Sequence, residues 1–122
     1  MKKVLVVDDD QEMAHAIRRV LLNHKTFEVD LAFDGVTACE KAVEFQPDLV
    51  LLDVRMPGMD GFEVCSRLKN DPRTASAKVI VVSGALDMEA VAKLIGIGAN
   101  DYITKPFRNE FLHMMIMRVL GR

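Results

Sequence analysis

No apolar run in this chain approaches the ~20 residues that a membrane-spanning helix needs. The greasy stretch after the two N-terminal lysines, Val4 to Val7, stops far short of the apolar core of a secretory signal. Cysteine is scarce. Cys39 and Cys65 lie far apart in helix-like stretches, which fits buried thiols in a reducing cytoplasm. The three histidines, His15, His24 and His113, lack zinc-ligand spacing. Charge of one sign is not in excess: the net value of -2 leaves no dominant basic face for nucleic acid. No G-x-x-x-x-G-K-[ST] stretch occurs, which excludes a P-loop nucleotide site. Internal repeats, low-complexity tracts and linkers are also missing. The 122 residues suit one domain, spanning 1–122, that buries roughly two-thirds of its unfolded surface.

What remains is an alternation of greasy runs and amphipathic stretches, five times over. "KVLVV" (3–7) predicts a strand buried on both faces, followed by a helix over about 11–24 with Met13, Ile17, Val20 and Leu21 inward. "FEVDLA" (27–32) alternates apolar and polar, as expected of a strand near a sheet edge. A helix over 35–45 has Ala38, Ala42 and Phe45 among its inner positions, and Pro47 blocks its continuation. "LVLL" (49–52) is a second fully greasy strand running into Asp53. Turn signals at Pro57-Gly58 and Asp60-Gly61 precede a helix over about 62–70. "KVIVV" (78–82) stops at Ser83. A helix over about 87–95 starts at Asp87 and ends at Gly96 or Gly98, either of which can supply a left-handed cap. "DYIT" (101–104) is the last strand, and 107–120 the last helix. Such alternation predicts an α/β domain, a doubly wound (βα)5 sheet, mainly parallel and covered on both faces.

In open parallel sheets, ligands bind beyond the carboxyl ends of the strands. Here the first strand ends in Asp8-Asp9, the third in Asp53 and the fourth in Ser83, and the fifth leads into Lys105. Each has an ordinary alternative: Asp10 or Asp9 as a helix N-cap, Asp53 as a turn residue, Ser83 as a cap, Lys105 as a solvated charge. Jointly these alternatives are strained, because three carboxylates on one rim repel one another without a cation. A hard divalent ion such as Mg²⁺ suits them. Three carboxylates against +2 leave about -1, which a lysine ammonium balances.

The motifs "KVLVVDDD", "DLVLLDVRMPGMDGFEV", "VIVVSG" and "GANDYITKPF" make the chain resemble the receiver domain of two-component response regulators along its whole length. The resemblance implies a flavodoxin-like sheet with strand order 2-1-3-4-5, the order that general fold rules cite for a chemotaxis receiver. It implies that Asp53 accepts a phosphoryl group from a partner histidine kinase or histidine phosphotransfer protein, and slowly loses it by autodephosphorylation. Asp8, Asp9, Asp53 and the backbone carbonyl of Arg55 are the implied Mg²⁺ site, with Mn²⁺ an expected substitute. Ser83 and Lys105 are the implied phosphoryl partners, Ser83 and Tyr102 the implied switch pair, and Lys105-Pro106 an implied cis peptide. A carboxylate nucleophile needs no general base. Arg55 can lie over the phosphoryl group and tune its hydrolysis, and Ala85, two residues after Ser83, offers no competing polar group.

The last helix, "FRNEFLHMMIMRVL", is greasier than one buried stripe requires. Phe111, Met115 and Val119 can face the sheet with Leu112 and Ile116, leaving Phe107, Met114, Met117 and Leu120. These four are either adaptable core packing or an exposed patch for a homodimer or an output partner. The sequence stops two residues beyond this helix, which fits a stand-alone receiver or a piece of a longer chain. Among other functions, a phosphatase usually has a second acid two residues after its nucleophile, where Arg55 stands. A flavin site would meet a hostile negative rim. An unphosphorylated receiver-like interaction module is the alternative, and loss of an acid, Ser83 or Lys105 would have favoured it.

Overall fold

The computed structural model describes residues 1–24, 26–84 and 88–121. Expectations for Ala85 and for a helix start at Asp87 lie outside the described residues. The elements alternate in order: β1 (Lys2–Val7), α1 (Gln11–Leu22), β2 (Phe27–Ala32), α2 (Gly35–Phe45), β3 (Leu49–Asp53), α3 (Gly61–Asn70), β4 (Lys78–Ser83), α4 (Met88–Ile97), β5 (Asp101–Thr104) and α5 (Asn109–Val119). The five strands form one parallel sheet of order β2-β1-β3-β4-β5. The alternating strand β2 is therefore an edge, while β3 is buried at every position.

Period-2 alternation divides the core into two layers. Leu5, Val7, Val50, Leu52, Val79 and Val81 face one side, under Ala38 and Ala42 of α2, Val64, Cys65 and Leu68 of α3, and Leu94 of α4. Val4, Val6, Leu49, Leu51, Ile80 and Val82 face the other, under Ile17 and Leu21 of α1 and Leu112 and Ile116 of α5. Full burial of one such Leu or Ile contributes about 1.5–3 kcal/mol. Cys65 is buried and Cys39 half-buried, and both are free thiols.

Aspartates start three of the helices. Asp10 accepts from the Met13 amide at 3.1 Å, Asp34 from Thr37 at 2.7 Å and Asp60 from Glu63 at 3.0 Å. Each such cap is worth about 1 kcal/mol. The capping role of Asp10 leaves Asp8 and Asp9 for other work. Gly98, with φ 128°, takes the left-handed position after α4, and Gly96 stays inside the helix.

α5 corrects one expectation. Phe111 is 42% exposed instead of facing the sheet, because Leu112, Met115 and Ile116 form the buried arc and Phe111 lies about a quarter turn from its centre. Phe107, Met117 and Leu120 are half-buried against the core, so of those four only Met114 is exposed. No helix among the described residues is long and apolar enough to cross a membrane.

Candidate metal and phosphoryl-acceptor site

The register of the sheet assembles the site. Val7 pairs with Leu52, so the residues that follow, Asp8 and Asp53, leave the sheet side by side. On the other flank Asp53 pairs with Val82, which puts Ser83 one step beyond it. One carboxylate oxygen each from Asp8, Asp9 and Asp53 lies within 4.8 Å of the others. Asp8 and Asp53 are buried and Asp9 is exposed, so the cluster opens to solvent on one side.

Lys105 reaches into this cluster from the turn after β5. Its ammonium donates to Asp8 Oδ2 at 2.9 Å and stands 3.8 Å from Asp53 Oδ2. Its backbone amide donates to the Ser83 carbonyl at 2.9 Å, which ties the lysine to the end of β4. The Lys105–Pro106 peptide is cis. The free oxygen of Asp8 accepts from the Asp10 amide at 3.0 Å, and Asp53 Oδ1 accepts from the Arg55 amide at 3.2 Å. Burial pushes the Asp53 carboxyl up to about 6, and the neighbouring Asp8 carboxylate adds to the rise. The Arg55 amide and the Lys105 ammonium oppose it without cancelling it.

Two features show that the residues fit an added cation and an added oxyanion. The cluster offers only hard carboxylate oxygens, with two buried acids against one ammonium, a donor set and charge balance suited to Mg²⁺. The Ser83 hydroxyl is fully buried and has no hydrogen-bond partner among the described residues, a state that ordinarily costs about 1–3 kcal/mol.

The expected site residues Asp8, Asp9, Asp53, Ser83 and Lys105 thus meet on one rim. Arg55 is exposed on the loop directly after β3. Tyr102 stands apart: it pairs with Val81, two residues before Ser83, and is 38% exposed. The close approaches at Gly35 and Gly61 had no distinctive signal in the sequence beyond that of turn residues.

The model of the response regulator receiver domain matches residues 4–117. This chain belongs to that family. The receiver domain is 41% identical over 112 residues to the response regulator PleD of Caulobacter vibrioides, covering 90% of this chain and 24% of PleD. It is 34% identical over 122 residues to the DNA-binding dual master transcriptional regulator RpaA of Synechocystis sp., covering all of this chain and 50% of RpaA. Among solved structures, the Vibrio cholerae chemotaxis protein CheY4 superposes with a TM-score of 0.92 at 29% identity, covering 98% of each chain. The receiver domain therefore spans half or less of these two curated relatives and nearly the whole of CheY4. Family membership places it in two-component, phosphorylation-based signalling.

Proposed function

We propose that this receiver domain is a Mg²⁺-dependent switch in which Asp53 accepts a phosphoryl group from a histidine kinase or a histidine phosphotransfer protein. The observation that carries this reading is the rim cluster: three convergent carboxylates, one lysine ammonium bridging two of them, and on the adjacent strand a buried hydroxyl with no partner among the described residues. An Asp53 oxygen attacks phosphorus, the phosphorus–nitrogen bond of the donor phosphohistidine breaks, and the imidazole leaves as its nitrogen takes a proton. Asp53 then carries an acyl phosphate. Asp8, Asp9, Asp53 and the Arg55 carbonyl would hold the metal, which when bound supplies neutralising charge to the carboxylates and the phosphoryl oxygens. Mn²⁺, also satisfied by oxygen ligands, is proposed to substitute.

Each remaining residue has a positional task. Lys105 pairs with one phosphoryl oxygen, and the Ser83 hydroxyl donates to another, finding the partner it lacks among the described residues. The pull on Ser83 is proposed to reach Tyr102 through β4 and β5. The exposed side chains of Phe111, Met114 and Tyr102 offer a surface for a second copy or an output partner. Nucleic acid is not a proposed partner of this chain, whose net charge is -2.

The test is intact mass after incubation with acetyl phosphate, with and without Mg²⁺, beside Asp53→Asn. A single phosphoryl adduct that needs both the metal and Asp53 is the expected result. No adduct, with metal binding verified separately, would leave the rim as an unphosphorylated interaction surface. The lifetime of the adduct tests a second role. Arg55→Ala is expected to change the hydrolysis rate several-fold, because the residue beside the acceptor controls the access of water. An unchanged rate would assign Arg55 no such part.

A further inference from the structure

Two glycines hold the loop that carries Arg55, and neither is there for its backbone angle. The positive-φ glycines among the described residues are Gly58, Gly98 and Gly121. Gly61 and Gly35 are needed for space. A Cβ on Gly61 would lie 2.6 Å from Val54 Cα and 2.7 Å from the Asp53 carbonyl oxygen, closing the base of the loop. A Cβ on Gly35 would lie 2.7 Å from Met59 Cβ, 2.8 Å from the Met59 carbonyl oxygen and 2.9 Å from Met59 Cγ.

The Gly35 contact joins two elements. Gly35 is the buried first residue of α2, and Met59 belongs to the loop between Asp53 and the α3 cap Asp60. A clash with the tip of a side chain is relieved by rotation, but Met59 Cβ and its carbonyl are fixed to the loop backbone. Nor can α2 yield readily. Asp34 caps its first turn, and Ala38 and Ala42 are buried without residual exposure. A methyl group at Gly35 must therefore move the loop. Within that loop Val54 and Met56 are buried on either side of Arg55, and Met59 follows Met56 through Pro57 and the positive-φ Gly58, so whatever displacement at Met59 Gly58 does not absorb acts on the Arg55 segment.

We propose that Gly35 is a positioning residue for the metal site. Its missing side chain sets the stand-off of the loop from α2, and with it the place of the Arg55 carbonyl relative to Asp8, Asp9 and Asp53. This inference rests on the reading of the rim as a Mg²⁺ site with Arg55 as a backbone ligand. Its signature is ion selectivity. Mg²⁺ demands near-octahedral geometry at about 2.0–2.1 Å, whereas Ca²⁺ tolerates irregular coordination at about 2.3–2.6 Å. A loop pushed outward by a fraction of an ångström therefore penalises Mg²⁺ more than Ca²⁺.

The experiment is titration of the ¹⁵N-labelled chain with MgCl₂ and, separately, CaCl₂, followed through its amide correlation spectrum. Saturable Mg²⁺ shifts at Asp8, Asp9 and Asp53 in the parent chain test the underlying reading, independently of Gly35. In Gly35→Ala the Mg²⁺ dissociation constant is expected to rise at least tenfold and the Ca²⁺ constant less than threefold. Adding Met59→Gly to that variant removes the Cβ and Cγ contacts but leaves the Met59 carbonyl oxygen 2.8 Å from the new methyl, so a partial recovery is expected. A folded Gly35→Ala with parental Mg²⁺ affinity, or with equal losses for both ions, would overturn the inference. Should Gly35→Ala give no dispersed spectrum, Met59→Ile crowds the same contact from the loop side. A Mg²⁺-selective loss of at least threefold is then expected, and an unchanged Mg²⁺ to Ca²⁺ ratio would overturn the inference.

Discussion

Lys105→Met is expected to slow phosphoryl uptake by Asp53 about 10²–10³-fold, the usual loss on removing one charge-stabilising donor from a preorganised site. The same substitution is expected to lower the stability of the metal-free chain at pH 7.5 by ~2–3 kcal/mol. Methionine keeps the apolar stem and removes only the ammonium. That ammonium is 2.9 Å from one buried carboxylate and 3.8 Å from another, so its removal leaves Asp8 and Asp53 facing each other uncompensated. Breaking a buried pair on one side usually costs about 3–5 kcal/mol. The cost is smaller here because Asp53, already pushed up to about 6, can escape by taking a proton. Lys105 is one of the groups holding that value down, so its loss raises the Asp53 carboxyl further. The stability deficit should accordingly shrink as pH falls from 7.5 toward 5, and Mg²⁺ should restore part of it at high pH. A time course of adduct formation and urea titrations at two pH values check both halves. Parental stability at pH 7.5 would mean that the lysine does not compensate the buried acids.

The rim was legible because each of four strands ends where an apolar run meets a polar residue, and parallel strands all end on one side. The bounds of β2 and β5 agree with the runs "FEVDLA" and "DYIT", since turn residues and charge bracket both. The phase of α5 was not legible. Phe111, Met114, Met115 and Met117 give that helix apolar residues on nearly every side, so no polar face fixes which arc turns inward. Packing against Leu49, Leu51 and Ile80 selects Leu112, Met115 and Ile116, and Phe111 is left outside. The contact between Gly35 and Met59 was hidden for a different reason. It is a close approach of the Gly35 backbone to the Met59 side chain and carbonyl, residues apart in sequence that the fold brings together. The Ser83 hydroxyl, buried with no partner among the described residues, belongs to the same class, because that state is a property of the assembled strands and not of a serine in a sequence.

Asp53→Asn is expected to raise the stability of the metal-free chain above pH 6 while abolishing phosphoryl uptake. The sign follows from linkage. An aspartate carboxyl titrates near 3.8 in the unfolded chain, and burial raises it to about 6 in the folded one. Between those values the folded state holds a proton that the unfolded state has lost. Stability therefore falls as pH rises through this window, and the full penalty is present above it. A shift of this size corresponds to ~3 kcal/mol at most, and residual solvation at the open side of the cluster reduces it to about 1–2 kcal/mol. Asparagine has no charge to desolvate or to repel Asp8, and removes the penalty. For a domain of this size that is several degrees in melting temperature. Thermal melts in EDTA at pH 4 and pH 7.5 measure it: the two proteins should converge at pH 4 and separate at pH 7.5, with the variant the more stable. Mg²⁺ at a hundredfold its dissociation constant stabilises a protein that binds it by about 2.7 kcal/mol. The metal should then favour the parent chain, which keeps all three carboxylates, and narrow or reverse the gap. A parent chain as stable as the variant in EDTA at pH 7.5 would mean that the carboxylates are not held together at a cost, and the acidic rim would lose its reason to recruit a cation.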